Sequence, residues 1–266
     1  MELVRTVAQS SRLRILDETG STNDVLAGLA ANGDEPHLST VVTLNQTGGR
    51  GRLGRVWVGP KDKSLAVSVL LRPRRDDGSP LPASRFGWLP LIAGVAMSSS
   101  IDALVGDGRT GLKWPNDVQV DGRKVCGILA ELQPSGGVVV GAGVNLTLGE
   151  EELPVPTAIS LALAGVTKRG DELVDLVVGH YLSVLAEMVE TLAAAGSDAD
   201  AGGIRRRVSE WCRTLGREVR VSLPDGADLF GVATGIDEAG RLLVRSGGNQ
   251  AVLAVAAGDV THLRYE

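Results

Sequence analysis

The sequence predicts an α/β fold of the α+β kind, in which a mixed sheet is flanked by helices and followed by a small antiparallel β-barrel. Three observations carry that prediction. Apolar runs rich in β-branched residues are interleaved with amphipathic segments as far as Gly216. One segment keeps helical spacing through Leu173, Leu176, Val177, Tyr181, Val184, Leu185, Met188 and Leu192. Beyond Gly216, short strands recur at roughly ten-residue spacing between turn signals.

Met1 to Glu18 alternates apolar residues with Glu2, Arg5, Arg12, Arg14 and Asp17 and lacks the apolar core of a signal peptide. Ser21-Thr22-Asn23-Asp24 supplies N-cap chemistry for a short helix through Val25, Leu26, Leu29 and Ala30, with Gly33 behind it. Thr40 to Asn45 and Ser64 to Leu71 read as buried strands. Ser84 to Val105 reads as a helix with Pro90 in its first turn, where a missing N–H costs little. Thr110 to Trp114, Asp117 to Val120, Lys124 to Leu132 and Val138 to Leu146 read as strands. Asp121-Gly122 makes a tight hairpin turn between two of them, and Pro134 to Gly137 a looser one.

The long helix over Leu173 to Leu192 gives way to a small-residue loop, Ala193 to Gly203. A second amphipathic helix follows through Ile204, Val208, Trp211, Cys212 and Leu215. The last strands are Glu218 to Leu223, Leu229 to Ile236, Leu242 to Arg245 and Ala251 to Val255. Their turns are Pro224-Asp225-Gly226, Glu238-Ala239-Gly240 and Gly247-Gly248-Asn249. The boundary falls after Gly216, giving a domain over 1–216 and a barrel over 217–266.

Composition narrows the function. With 43% hydrophobic and 22% charged residues, the 266-residue chain is globular rather than disordered. Its net charge of −5 gives no overall positive field toward nucleic acid or an anionic membrane, so any anion must be held by a local cluster. The longest apolar stretch, Trp88 to Met97, is broken by Pro90 and falls short of the ~20 residues of a membrane span. Cys126 and Cys212 lie far apart with no CxxC, which excludes a disulfide framework or a zinc site of known spacing and suits a cytoplasmic protein.

Gly48-Gly49-Arg50-Gly51-Arg52-Leu53-Gly54-Arg55 packs four glycines and three arginines into one loop. Its backbone can approach a ligand closely and its guanidiniums can pair with carboxylate or phosphate; the alternative is a solvated basic turn. So much glycine predicts a loop that is mobile when empty and orders on binding. The embedded GxGxxG is not a dinucleotide fingerprint, because Val56-Trp57-Val58-Gly59-Pro60 follows instead of a helix. Lys113-Trp114-Pro115-Asn116-Asp117 places a cation and a carboxylate at a strand end, either a catalytic edge or a surface ion pair. Lys124 stands at the mouth of a buried strand, and Gly127, read as sharing its face, leaves room for a ligand. Asn145 is either an adenine-edge contact or an Asx turn. His37, His180 and His262 are scattered, and no nucleophile-histidine arrangement is evident.

Taken in order, Ser21-Thr22-Asn23, Gln46, GRGRLGRVW at Gly49 to Trp57, KWPNDV at Lys113 to Val118, GRKVCGILAE at Gly122 to Glu131 and GVNL at Gly143 to Leu146 strongly resemble the biotin protein ligases. The resemblance implies a catalytic fold related to class II aminoacyl-tRNA synthetases, with an SH3-like barrel behind it. It implies that biotin and ATP, carrying Mg²⁺, form biotinyl-5′-adenylate, and that the biotinyl group passes to a lysine of a biotin carboxyl carrier protein or domain of an acyl-CoA carboxylase. By the same resemblance Ser21, Thr22, Asn23 and Gln46 bind the biotin rings, with Gly127 beside them. Arg50, Gly51, Arg52 and Lys124 hold the biotin carboxylate and the adenylate phosphate. Arg55, Lys113, Trp57, Asn116 and Asn145 serve ATP, and Asp117 orients or deprotonates the acceptor lysine. The charges of Arg50, Arg52, Arg55, Lys113 and Lys124 offset the repulsion of two anions held together.

Only twenty residues precede Ser21, so the DNA-binding domain that some members carry is not expected, and Leu53 stands where a basic residue is common. A lipoate–protein ligase shares the adenylation logic without the paired GRGRxGRxW and KWPND motifs. A non-enzymatic nucleic-acid module is the reading from another class, and the acidic balance opposes it.

Overall fold

The computed structural model describes residues 1–57, 59–195, 200, 202–223, 226–247, 251–256 and 258–262. Val58, much of the Ala193 to Gly203 loop, and parts of the Pro224-Asp225-Gly226 and Gly247-Gly248-Asn249 turns lie outside the described residues.

In chain order the elements of the larger part are α1 (Val4–Gln9), β1 (Arg12–Leu16), α2 (Thr22–Ala31), β2 (Ser39–Thr43), β3 (Gly49–Arg50), β4 (Val56–Trp57), β5 (Ser64–Leu71), α3 (Trp88–Val105), β6 (Thr110–Lys113), β7 (Asp117–Val120), β8 (Arg123–Leu132), β9 (Val138–Asn145), α4 (Gly170–Ala194) and α5 (Ile204–Trp211). The smaller part holds β10 (Glu218–Ser222), β11 (Asp228–Ile236), β12 (Leu242–Ser246), β13 (Val252–Val255) and β14 (Asp259–His262).

Seven strands form one mixed sheet in the order β1-β2-β5-β9-β8-β7-β6, with β1 and β2 parallel and the other neighbours antiparallel. Every residue of β2, β5 and β9 is buried, as central strands covered on both faces require. One face carries α3 and α4, whose Leu91, Ile92, Val95, Val177, Tyr181 and Leu185 pack with Val67, Val69 and Val140 in the main core. The other face carries α2, where Leu26 and Ala30 meet Val41, Leu70 and Val139. Ser21 caps α2, its hydroxyl accepting the Asp24 N–H at 3.4 Å.

Besides the two-residue strands β3 and β4, three elements escape the sequence reading. Helix α1 is six residues long and is held by Asp175 of α4, which accepts the Arg5 and Thr6 N–H groups. Strand β1 is a half-exposed edge with no clean alternation. The smaller part has a fifth strand, β14, where the sequence shows four; the order is β13-β12-β11-β10-β14, all antiparallel. The sequence helix over Ser84 to Val105 begins only at Trp88, after a separate 3₁₀ turn at Ala83–Arg85. Helices α3 and α4 are each long and apolar enough to cross a membrane, although most of each is buried against the rest of the protein.

Two tryptophans join the parts. Trp88 Nε1 donates to the Glu238 carbonyl at 2.8 Å and Trp114 Nε1 to the Gly240 carbonyl at 3.2 Å, both in the β11–β12 turn. Each indole is buried with its polar atom paired, so the contact is both apolar and directional.

Candidate active site

Small residues make the floor of a cleft. Ser68 lies opposite Gly141 and Ala66 opposite Gly143 across β5 and β9, while Gly127 of β8 pairs with Gly143. Alternation along a strand puts Gly141 and Gly143 on one face, and their missing side chains open a trough between α2 and the β3–β4 hairpin. The space is taken by functional groups: a Cβ on Gly141 would stand 2.3 Å from Asn23 Oδ1, and one on Gly143 2.5 Å from the Trp57 ring.

At one end lies a neutral recess. Gln46 Oε1 accepts the Thr22 N–H at 2.9 Å and the Thr22 hydroxyl at 3.2 Å. Ser68 Oγ bonds Thr22 Oγ1 at 2.7 Å and Asn23 Oδ1 at 2.6 Å, and Asn23 Nδ2 donates to Glu131 at 2.6 Å. Thr22, Asn23 and Ser68 are buried, Gln46 and Glu131 partly so, and all are fixed by one another, a preorganised set of donors and acceptors.

At the other end the arginine loop folds back as a hairpin, with Gly49 opposite Trp57 and Gly51 N–H donating to the Arg55 carbonyl at 2.6 Å. Gly49 is required there, since a Cβ would stand 2.5 Å from the Trp57 carbonyl oxygen. Leu53 and Gly54 turn the chain at φ of 56° and 74°. Each arginine has a partner: Arg50 pairs with Asp24 at 2.6 Å and Glu131 at 3.0 Å, Arg52 donates to Asn116 Oδ1 at 3.2 Å, and Arg55 pairs with Asp259.

Lys124 Nζ sits 2.6 Å from Asp117 Oδ1 and 5.6 Å from the Trp57 ring centroid, a cation–π distance. Three positions separate Lys124 from Gly127, so a regular pleat would put them on opposite faces and the sequence argument for a shared face fails on its own terms. A register shift rescues it: Val118 pairs with Cys126 and Gln119 with Lys124, leaving Val125 as an extra residue. The bulge brings Lys124 Nζ within 3.1 Å of where a Gly127 Cβ would be.

Ser21, Thr22, Asn23 and Gln46 therefore line the same cleft as Arg50, Gly51, Arg52 and Arg55, with Trp57, Asn116, Asp117, Lys124 and Gly127. Lys113 and Asn145 do not line it. Lys113 is the register partner of Asp117 on the edge strand. Burial pulls its ammonium below the usual lysine range; Asp117 opposes this, and the charges of Lys124 and Arg55 add to it. Asn145 is 1% exposed at the end of β9, its Nδ2 donating to the Ile159 carbonyl at 3.1 Å while Oδ1 has no partner among the described residues. It makes no Asx turn of the kind the sequence allows, because its bond reaches fourteen residues along the chain. Among the described residues no three His, Cys, Asp or Glu side chains cluster to hold a metal ion. Both cysteines are buried, and burial pushes the Cys126 and Cys212 thiols up, out of reactive range.

Ser68, Gly141 and Asp259 are missed by the sequence reading, and Glu131 and Gly143 stand in it only as motif residues without a role. The small residues at alternate positions of β5 (Ala66, Ser68) and β9 (Gly141, Gly143) were the available signal for the trough; Asp259 had none.

Fold and cleft together define an α/β enzyme class whose cleft joins a polar recess to a cluster of cations, with a residue of a β-rich C-terminal part, Asp259, in its lining. Within that class the chain belongs to the biotin/lipoate A/B protein ligase family, whose model matches residues 16–145, and the biotin protein ligase C terminal domain model matches residues 214–263. A biotin–[acetyl-CoA-carboxylase] ligase of Mycobacterium tuberculosis is 38% identical over 256 residues, 95% of this chain and 90% of that protein. The bifunctional ligase/repressor BirA of Escherichia coli is 30% identical over 243 residues, 88% of this chain and 69% of that protein. A structure of the biotin protein ligase from Aquifex aeolicus in complex with biotin and ATP shares the fold with a TM-score of 0.72 and 24% identity, covering 96% of this chain and all of that one.

Proposed function

We propose that the chain is an ATP-dependent biotin–protein ligase of the cytoplasm. It activates biotin as biotinyl-5′-AMP and transfers it to a lysine of a biotin carboxyl carrier domain of an acyl-CoA carboxylase. The observation that carries this reading is one cleft joining the Thr22, Asn23 and Gln46 recess to the Arg50, Arg52 and Lys124 cations. A cyclic urea needs both donors and acceptors, which that recess offers; the dithiolane ring of lipoate has neither, so the recess favours biotin over the lipoate alternative.

In the first step the biotin carboxylate attacks the α-phosphate of ATP and pyrophosphate leaves. Arg50, Arg52 and Lys124 offset the charge of the two anions, Lys113 adds to the field from behind, and Mg²⁺ arrives with ATP as part of the substrate. Trp57 offers its ring to adenine, with Asn116 and Arg55 as further ATP contacts, while Asn145, buried outside the lining, takes no direct part. In the second step the acceptor lysine attacks the biotinyl carbonyl and AMP leaves, with Asp117 orienting the amine or taking its proton. Residues 1–216 act as the catalytic domain and 217–266 as the companion.

Labelled biotin transfer onto a carrier domain, with and without ATP, tests the proposal. Transfer that requires ATP supports it, and pyrophosphate release with lipoate alone overturns it.

A further inference from the structure

Adjacent residues entering β14 reach two arginines of the loop. Arg52 Nη1 donates to the Gly258 carbonyl at 3.3 Å, and Arg55 forms an ion pair with the Asp259 carboxylate, across 206 and 204 residues of sequence. Asp259 itself lines the cleft. Its carboxylate is 31% exposed and Arg55 65% exposed, so the pair sits at the rim. The contact uses one guanidinium nitrogen, Nη2, and one carboxylate oxygen. Among the described residues the other N–H groups of Arg55 have no partner, which leaves donors for an incoming anion.

An exposed arginine without a partner samples many rotamers, and ordering it subtracts from the affinity of whatever it binds. Held by Asp259, the guanidinium is ordered before the anion arrives. We propose that Asp259 is a positioning residue for the nucleotide: from the C-terminal domain it holds Arg55 in place for the ATP phosphates. The inference rests on the ATP-dependent reading above and adds a residue from outside the catalytic domain to that site.

The test measures KM for ATP, KM for biotin and kcat in biotin-dependent pyrophosphate release for wild type, Asp259→Asn, Asp259→Glu, Arg55→Gln and the Asp259→Asn/Arg55→Gln double variant. Thermal midpoints are recorded alongside. The expected result is a rise of about threefold to fivefold in KM for ATP in Asp259→Asn, the size of an exposed ion pair, with kcat and KM for biotin within about twofold. Asp259→Glu recovers part of the loss, and Asp259→Asn adds nothing in the Arg55→Gln background. An unchanged or lowered KM for ATP in Asp259→Asn overturns the inference, as does an equal rise with Arg55 already removed. A wild-type protein without biotin-dependent pyrophosphate release overturns the ligase reading itself, and this inference with it.

Discussion

The Trp57 indole lies against Gly143 so closely that a Cβ at Gly143 would stand 2.5 Å from ring carbon Cε2 and 2.6 Å from Nε1. Trp57 is rigid and its ring also faces Lys124, so it has no easy retreat. Gly143→Ala is expected to displace the indole and weaken ATP use by about tenfold or more, with about 1–3 kcal/mol of lost stability from overpacking. Steady-state kinetics in ATP, with urea unfolding as the control, checks it; wild-type KM for ATP in a folded variant would show that the ring position is not used.

Arg52 crosses the cleft to Asn116 and to the Gly258 carbonyl. Arg52→Ala is expected to keep the fold yet release the adenylate or fail to form it, lowering retained biotinyl-adenylate by about tenfold to a hundredfold. Gel filtration of enzyme loaded with labelled biotin and ATP reads this directly. Normal retention would refute the role of the loop as an anion grip.

Asp117 holds Lys124 at 2.6 Å, so its removal touches both half-reactions. If its main duty is toward the acceptor amine, Asp117→Asn should slow transfer from preformed adenylate by about a hundredfold while adenylate formation falls much less. Single-turnover transfer onto a carrier domain separates the two. An equal loss in both steps would assign Asp117 to Lys124 alone.

Glu35 is buried, 3% exposed, between Arg14 at 2.6 Å and Arg12 at 3.2 Å. Burial alone would raise its carboxyl, but the hydrogen bonds and charges of Arg14 and the charge of Arg12 outweigh it, leaving the group below the usual carboxylate value. A carboxyl depressed in the folded state stabilises it above the ordinary value near 4.5, and that stability is lost as pH falls through the depressed folded value. Glu35→Gln is therefore expected to cost about 1–2 kcal/mol at neutral pH, with the gap from wild type closing below about pH 4.5. Urea midpoints measured across pH check it, and a gap that persists at pH 2 would assign the cost to packing.

Local chemistry is what the sequence expresses. The N-cap of α2, the Asp121-Gly122 turn and the apolar periods of β5, β9 and α4 each depend on residues within a few positions, and the structure has them where the pattern puts them. The same holds for the loop arginines and the Thr22, Asn23 and Gln46 group, recognisable as motifs. Helix α1 and strand β1 were illegible because their stability comes from distant partners, Asp175 for one and the parallel register with β2 for the other.

By itself, then, the sequence determined the fold class, the motifs and the chemistry on offer. Only the tertiary structure decided which of those residues share a cleft. It brought the bulge at Val125 that turns Lys124 toward Gly127, kept Lys113 and Asn145 outside the lining, and carried Asp259 to Arg55. The reason is range: periodicity and capping act over a turn or two of chain, whereas strand register joins segments tens of residues apart and the contacts of Gly258 and Asp259 with the arginine loop span 206 and 204 residues, which no local pattern encodes.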